Sequence, residues 1–183
     1  MPGFSALTPN IGANTASAPL RIELLNTFAR LDGQLKQAPF SLFNQVGASG
    51  NSGSVETDLM QVTVNFGTLQ LNGQSLFITA AGNTAANANN KTLKLKFGGS
   101  TIFDTGAFAG NDISWTFQGE IIRSGGSAQV VYGQFFGSAT LTSKITTSTA
   151  AVALASNQIL KFTGTGTASS DISISFMRVL LLN

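Results

Sequence analysis

The sequence contains no cysteine and no histidine, and only 10% of its 183 residues are charged. Without cysteine the chain has neither disulfides nor thiolate metal sites. Without histidine it lacks the side chain that most often serves in acid–base catalysis near neutral pH, and also the commonest metal ligand. We therefore expect a protein that is not an enzyme and that holds no metal ion and no cofactor.

The shortage of charge also bears on the partners. The formal net charge is only +2, and the sequence pI near 9.2 follows from the missing histidines rather than from a basic region. Phosphate binding needs clustered lysine and arginine, and the nearest approach is Lys91, Lys94 and Lys96 on one predicted strand. No apolar run approaches the ~20 residues of a membrane span. We expect neither a nucleic-acid nor a membrane partner.

The chain from residue 55 onward shows the period of two that is typical of half-buried strands. Leu93, Leu95 and Phe97, for example, alternate with Lys94 and Lys96. Pairs of turn-forming residues separate the strands, and no helical period lies between them. This pattern predicts an all-β, antiparallel jelly-roll β-sandwich. The predicted strands are 56–66, 75–82, 91–97, 100–104, 112–123, 128–137, 157–163 and 171–182; residues 146–156 are predicted as a loop.

An extended arm and one short α-helix are predicted before the sandwich. Residues 1–17 contain two prolines and no sustained period, which favours an extended arm. Residues 19–37 begin with Pro19 and carry one apolar stripe, which predicts a helix. The stripe suits either a seam between subunits or packing against the β-domain. Its members, the predicted interface residues, are Leu20, Leu24, Phe28, Leu31 and Leu35.

The composition places the domain boundary in a stretch of glycine and serine. Residues 47–54, GASGNSGS, have the composition of a flexible linker. The predicted organisation is therefore an attachment or oligomerisation segment at 1–46, the linker at 47–54, and the jelly-roll sandwich at 55–183.

One motif could carry catalysis. Residues 102–107, IFDTGA, resemble the Asp-Thr-Gly-Ala signature of retroviral-type aspartic proteases, in which two aspartates of a dimer share a proton. Such proteases also need a later apolar-apolar-Gly segment, whereas Ile121-Ile122 is followed here by Arg123. A strand that ends in Asp-Thr-Gly is also an ordinary strand running into a turn, with Asp104 as a local acceptor. We interpret the motif as a turn.

A second resemblance covers residues 55–183. The stretch at 80–106, with its Ala/Asn-rich turn, Lys-Thr-Leu-Lys-Leu strand, Phe-Gly-Gly turn and Ile-Phe-Asp strand, resembles jelly-roll virion proteins of tailed bacteriophages, together with WTFQGEIIRSGG at 115–126. The resemblance implies a structural virion protein, often trimeric, that serves as a head decoration (cement) protein, a head fibre or a tail-fibre module. It brings no catalytic residues with it.

These observations predict a capsid decoration protein at the surface of a phage particle. It would form a homotrimer and dock on the major capsid protein or other virion proteins through its N-terminal arm. The alternative is a tail-fibre or head-fibre adhesin that binds a host-surface glycan or other receptor. Sugar binding commonly uses exposed aromatic rings, and this chain has 14 phenylalanines but one tryptophan and one tyrosine, which favours core filling.

Overall fold

The computed structural model describes residues 39–137 and 144–183, and every regular element in these ranges is a β-strand. The predicted arm and helix lie outside the described residues. The strands are β1 (Phe40–Ser52), β2 (Thr57–Val64), β3 (Ser75–Thr84), β4 (Asn90–Phe97), β5 (Ser100–Asp104), β6 (Phe108–Ala109), β7 (Ser114–Gly125), β8 (Ala128–Gly137), β9 (Lys144–Ala150), β10 (Gln158–Thr165) and β11 (Ser169–Leu182).

The strands form two antiparallel sheets, as the sequence predicts. One sheet has six strands in the order β1-β11-β3-β7-β8-β9. The other has the order β2-β10-β4-β5, with the short β6 paired to β4. Strands β1 to β4 alternate between the two sheets along the chain, so each sheet is assembled from segments that are distant in sequence.

Aromatic side chains join the two sheets into a sandwich. The ring of Phe117 on β7 meets Phe162 on β10 edge to face, with centroids 5.2 Å apart. It meets Phe103 on β5 in the same way at 5.0 Å. Each such pair adds about 1 kcal/mol beyond the area that it buries. The core therefore lies between the sheets, and the outer side of each sheet faces away from it.

A glycine makes room for the largest core side chain. Trp115 is 1% exposed and lies against Gly82 on the neighbouring strand β3. A Cβ atom added at Gly82 would overlap the carbonyl oxygen of Ser173 and approach Cζ2 of Trp115 to 2.5 Å. Residue 82 must therefore be glycine for the indole to pack flat on the sheet.

The glycine- and serine-rich segment differs from the predicted linker. Residues 47–52 form the second half of β1 and pair with β11, with Ser49 opposite Ile174 and Gly50 opposite Ser173. The backbone supplies the hydrogen bonds of a ladder, so large side chains are not required. Gly50 also lies close to Ser170, where a Cβ would approach Oγ to 2.8 Å. Composition typical of a linker here reflects the tight contact between two strands.

A second difference lies in the predicted loop 146–156. Its first part belongs to β9, which pairs with β8 through residues 144–150. Threonine is frequent in strands, but an edge strand of small polar residues shows no apolar alternation to reveal it. The prediction of a loop is wrong for these residues.

The strands turn at two ends of the sandwich, which we name after a residue at each. The Lys91 end contains the connections 53–56, 85–89, 105–113 and 166–168. The Arg123 end contains the connections 65–74, 98–99, 126–127 and 151–157.

Candidate functional site

The outer side of the six-stranded sheet carries several exposed apolar side chains. On β8 the outward residues Val130, Tyr132 and Phe136 are 37%, 36% and 41% exposed. Residues on the neighbouring strands share this side because each lies opposite an outward residue or between buried ones. We call this surface the apolar face; its members are Phe77, Ile122, Val130, Tyr132, Phe136, Phe176 and Leu180.

The strand register arranges the apolar face in rows that cross the sheet. Leu180 on β11 lies opposite Phe77 on β3. Phe77 lies opposite Glu120 on β7, which in turn lies opposite Tyr132 on β8. Side chains directly opposite each other in an antiparallel pair are about 5 Å apart at Cβ. One row, which includes Glu120, therefore crosses four strands. The next row, formed by Arg178, Thr79, Gln118 and Gln134, is polar and separates Phe176 and Phe136 from the other apolar residues.

Two charges lie on the apolar face. Among outward positions of this sheet whose side chains are described, only Glu120 and Arg178 are charged. Oε1 of Glu120 accepts a hydrogen bond from Oγ of Ser75 at 2.5 Å. The guanidinium carbon of Arg178 lies 6.0 Å from the ring centroid of Phe176. Neither residue forms an ion pair within the described part of the chain.

The outer side of the other sheet carries ion pairs. Nζ of Lys94 lies 3.2 Å from Oε2 of Glu56, and Lys96 contacts Oε1 of the same carboxylate. Nζ of Lys161 lies 2.8 Å from Oδ1 of Asp58. We call this surface the charged face; its members are Glu56, Asp58, Lys94, Lys96, Asp104 and Lys161.

Glu56 shows how closely these charges are matched. The hydrogen bond with Lys96 lowers the pKa of Glu56 most, burial opposes it, and the bond with Lys94 lowers it further, to about 2. The carboxylate is therefore ionised throughout the neutral range. The three lysines that came nearest to a basic patch are thus used within the domain, since Lys94 and Lys96 are paired and Lys91 is buried.

The Asp-Thr-Gly motif lies where β5 ends, at the Lys91 end. Oδ1 of Asp104 accepts a hydrogen bond from the backbone N–H of Gly106 at 2.7 Å, and Gly106 has φ +69°. Oγ1 of Thr105 accepts one from the N–H of Leu93 at 2.9 Å. Lys94 Nζ lies 4.0 Å from Oδ2 of Asp104. The three residues of the motif form a turn that is tied to β4.

The Lys91 end also contains a buried ammonium group that the sequence reading missed. Lys91 has no exposed surface, and its Nζ donates to the carbonyl of Gly110 at 2.6 Å. Its other two N–H groups are shared among three oxygens, the carbonyl and Oδ1 of Asn87, both at 2.8 Å, and the carbonyl of Asn89 at 3.0 Å. One cation therefore connects the 85–89 loop to the segment after β6.

A buried anion, Asp171, lies at the same end of the sandwich. This carboxylate is 1% exposed and accepts hydrogen bonds from the side chains of Asn87 and Asn89 and from the N–H groups of Thr167 and Ala168. Burial alone would raise the pKa of Asp171, but the bonds from Ala168, Asn87 and Asn89 together lower it to about 2. The asparagine-rich turn is thus held between one buried cation and one buried anion.

The Arg123 end has a shallow pocket of about 290 Å³. Phe66 at its rim is 68% exposed, and Leu69 and Leu154 line its wall. Arg123 lies in the pocket and donates from Nη1 to the carbonyl of Leu69 at 2.6 Å. Within the described residues Arg123 has no carboxylate partner. The pocket could therefore accept an acceptor-rich or anionic group beside an apolar rim.

The predicted interface residues Leu20, Leu24, Phe28, Leu31 and Leu35 lie outside the described residues. Within 39–137 and 144–183, no group of three or more acidic side chains is arranged to hold a metal ion. In the same ranges there is no helix with the length and apolar character that crossing a membrane requires.

No family model matches the sequence, and no curated protein matches it. Among solved structures, the CBM2 module of the evolved Dit of Lactobacillus casei BL23 phage J-1 is similar at 10% sequence identity and a TM-score of 0.42. The alignment covers 81% of this chain and 98% of that module. A likeness of this size assigns neither a fold nor a function to this chain.

Proposed function

We propose that this chain is a structural, non-enzymatic virion protein of a tailed phage. In this proposal it is a capsid decoration (cement) protein at the particle surface, with residues 1–46 docking on the major capsid protein or another virion protein. The sandwiches stand outside the shell as a homotrimer. The resemblance of residues 55–183 to jelly-roll virion proteins supports this role.

The strand order supports a jelly roll. A jelly roll winds eight strands through two Greek keys into two four-stranded sheets. With β6, β8 and β9 set aside, eight strands remain, in the orders β1-β11-β3-β7 and β2-β10-β4-β5. These two strand orders are consistent with two Greek keys combined in one sandwich. Strands β8 and β9 then extend one sheet beyond the common core and enlarge its outer side.

The observation that carries the structural role is the apolar face. Monomeric soluble proteins rarely expose contiguous apolar patches larger than a few hundred Å², and larger ones mark interaction surfaces. Here the exposed apolar side chains lie on the outer side of a six-stranded sheet rather than in a cleft. In contrast, the buried polar groups Lys91 and Asp171 are occupied in bracing loops. The described surface is therefore suited to assembly.

The test is to locate and then remove the protein on phage particles. Imaging the particle at low resolution should place this chain on the outside of the head. Because a protein that binds the shell but not its free subunits stabilises the shell by mass action, stripped particles should lose heat and low-salt resistance. Re-adding purified protein should restore both. Unchanged resistance of stripped particles, or a position on the tail, would refute the cement role.

The pocket at the Arg123 end favours one alternative, an adhesin module of a tail or head fibre. An exposed aromatic rim and an arginine without a carboxylate partner suit a carboxylate-bearing sugar of a host surface. The test is a glycan array probed with the wild-type protein and with Arg123→Gln. Binding that is lost in the variant supports the adhesin, whereas no binding by the wild type argues against it.

A further inference from the structure

We infer that the apolar face is the surface through which copies of this chain associate, so that the outer sides of the six-stranded sheets meet in the oligomer. The inference deepens the homotrimer of the proposed function by naming the surface. It rests on that proposal for the identity of the occupant, and its test needs only the purified chain.

The area of the outer side of the sheet bears on which partner could cover it. Six strands spaced by about 4.8 Å span about 24 Å, and eight residues along a strand, such as 115–122 of β7, extend about 27 Å. The outer side of the sheet, on which the apolar face occupies β11, β3, β7 and β8, is therefore on the order of 650 Å². Stable complexes bury about 800 Å² on each partner. Because the outer side falls somewhat short of that area, a stable partner has to cover all of it, which argues for a partner of comparable breadth such as a second copy.

The two charges on the face complement each other between copies. Arg178 lies opposite Thr79, which lies opposite Gln118 on β7, whereas Glu120 is two residues further along β7. Arg178 and Glu120 therefore lie one row and two strands apart, about 12 Å by strand geometry. They form no ion pair with each other within the described chain. In a closed ring, Glu120 of one copy can meet Arg178 of the next, so that every charge is paired.

The charged face offers no such complementarity. Its lysines and carboxylates already neutralise each other within the chain, as the contacts of Glu56 and Asp58 show. Docking there would remove several ion pairs from water without any new partner, which costs free energy. The contrast identifies the apolar face as the surface that gains by burial.

Matched substitutions on the two faces test the inference. Val130 on the apolar face and Ile159 on β10 are both β-branched and are 37% and 39% exposed. The molar mass of the full-length protein is measured by light scattering over a concentration series. Wild type should show a mass of three chains, whereas a mass of two chains that Val130→Lys reduces would support the surface but contradict the homotrimer. Val130→Lys should weaken association by about 30-fold, since it places an unpaired ammonium in the interface.

The control is Ile159→Lys, which should leave the mass of the oligomer unchanged. Thermal unfolding and circular dichroism of both variants establish that each is folded. A wild-type mass of one chain at all concentrations would overturn the inference and leave the face to another occupant. Equal effects of the two lysines would also overturn it.

A charge exchange supplies a second readout that does not depend on adding a charge to an apolar site. Glu120→Arg and Arg178→Glu should each weaken association by about 10-fold. The double variant should return to within about 3-fold of wild type, because the pair is restored with its signs reversed. Absence of recovery would contradict the proposed contact. If the protein is an oligomer in solution but is not an oligomer on phage particles, the result would count against the cement role alone.

Discussion

On the charged face each described outward lysine lies beside a carboxylate of its own chain, whereas on the apolar face Glu120 and Arg178 lie apart and neither has an ionic partner in the described residues. Both faces cover one core and belong to sheets with the same antiparallel ladders. The difference indicates that the contacts that stabilise the fold lie between the sheets. The outer sides are therefore free to differ: one has its charges paired within the chain, and the other carries two charges without an ionic partner among the described residues.

The largest expected effect is on stability, and it concerns the packing of the strands that form the apolar face. Gly82→Ala places a methyl group against the backbone of Ser173 and the ring of Trp115. The free energy of unfolding should fall by about 3 kcal/mol, measured by chemical denaturation. Gly126→Ala is the control, since a Cβ there meets nothing within 4 Å, and it should change stability by less than about 0.5 kcal/mol. Equal losses would contradict the packing of Trp115.

A smaller effect is expected in the pH dependence of the free energy of unfolding. Asp171 and Glu56 both have pKa values near 2, but only Asp171 is fully buried. Because the folded-state pKa of Asp171 lies below its ordinary 3.8, its contribution of about 2 kcal/mol is present above pH 4 and is lost as pH falls through 2.

Asp171→Asn should remove that dependence. In either orientation the new amide NH2 group faces other donors, either the N–H groups of Thr167 and Ala168 or the side-chain amides of Asn87 and Asn89, so stability at pH 7 should fall by about 2 kcal/mol. Denaturation curves between pH 2 and pH 7 measure both effects. The exposed Asp58→Asn serves as the control. Because Glu56 titrates in the same range, the difference between wild type and Asp171→Asn is the measured quantity, and a difference that does not change between pH 4 and pH 2 would contradict the lowered pKa of Asp171.

The smallest effect concerns the charged face itself. Lys96→Met should lower the free energy of unfolding by less than about 1 kcal/mol, because partly exposed ion pairs contribute little. In a Glu56→Gln background the same substitution should have almost no further effect, as a double-mutant cycle would show. A loss well above 1 kcal/mol would mean that this face contributes to folding and that the two faces differ less than we infer.

Alternation along single strands was sufficient to predict most of the fold. Leu93, Leu95 and Phe97 are buried and alternate with Lys94 and Lys96, as the sequence indicated. Where alternation is absent, the prediction is less successful: the threonine-rich β9 was assigned to a loop. That strand is defined by its hydrogen bonds to β8 and not by its own side chains.

The apolar face could not be predicted in the same way. The sequence shows that Tyr132 lies on the opposite side of its strand from Val131, but not which strands are its neighbours. Phe77 and Tyr132 are 55 residues apart, and only the order β3-β7-β8 brings their rows together. The buried Lys91 was also missed, because a lysine beside a turn reads as solvent-exposed until its four oxygen partners are known.

Lys91 has a further consequence for the loops at its end of the sandwich. Loop clusters that are organised around a central positive charge often obtain that charge from a dissolved ion, and their order then follows the concentration of that ion. Here the cation is attached to the chain, and carbonyl and amide oxygens of the 85–89 loop and Gly110 surround it. The 85–89 loop and the segment at Gly110 are therefore held together by a positive charge that belongs to the chain itself.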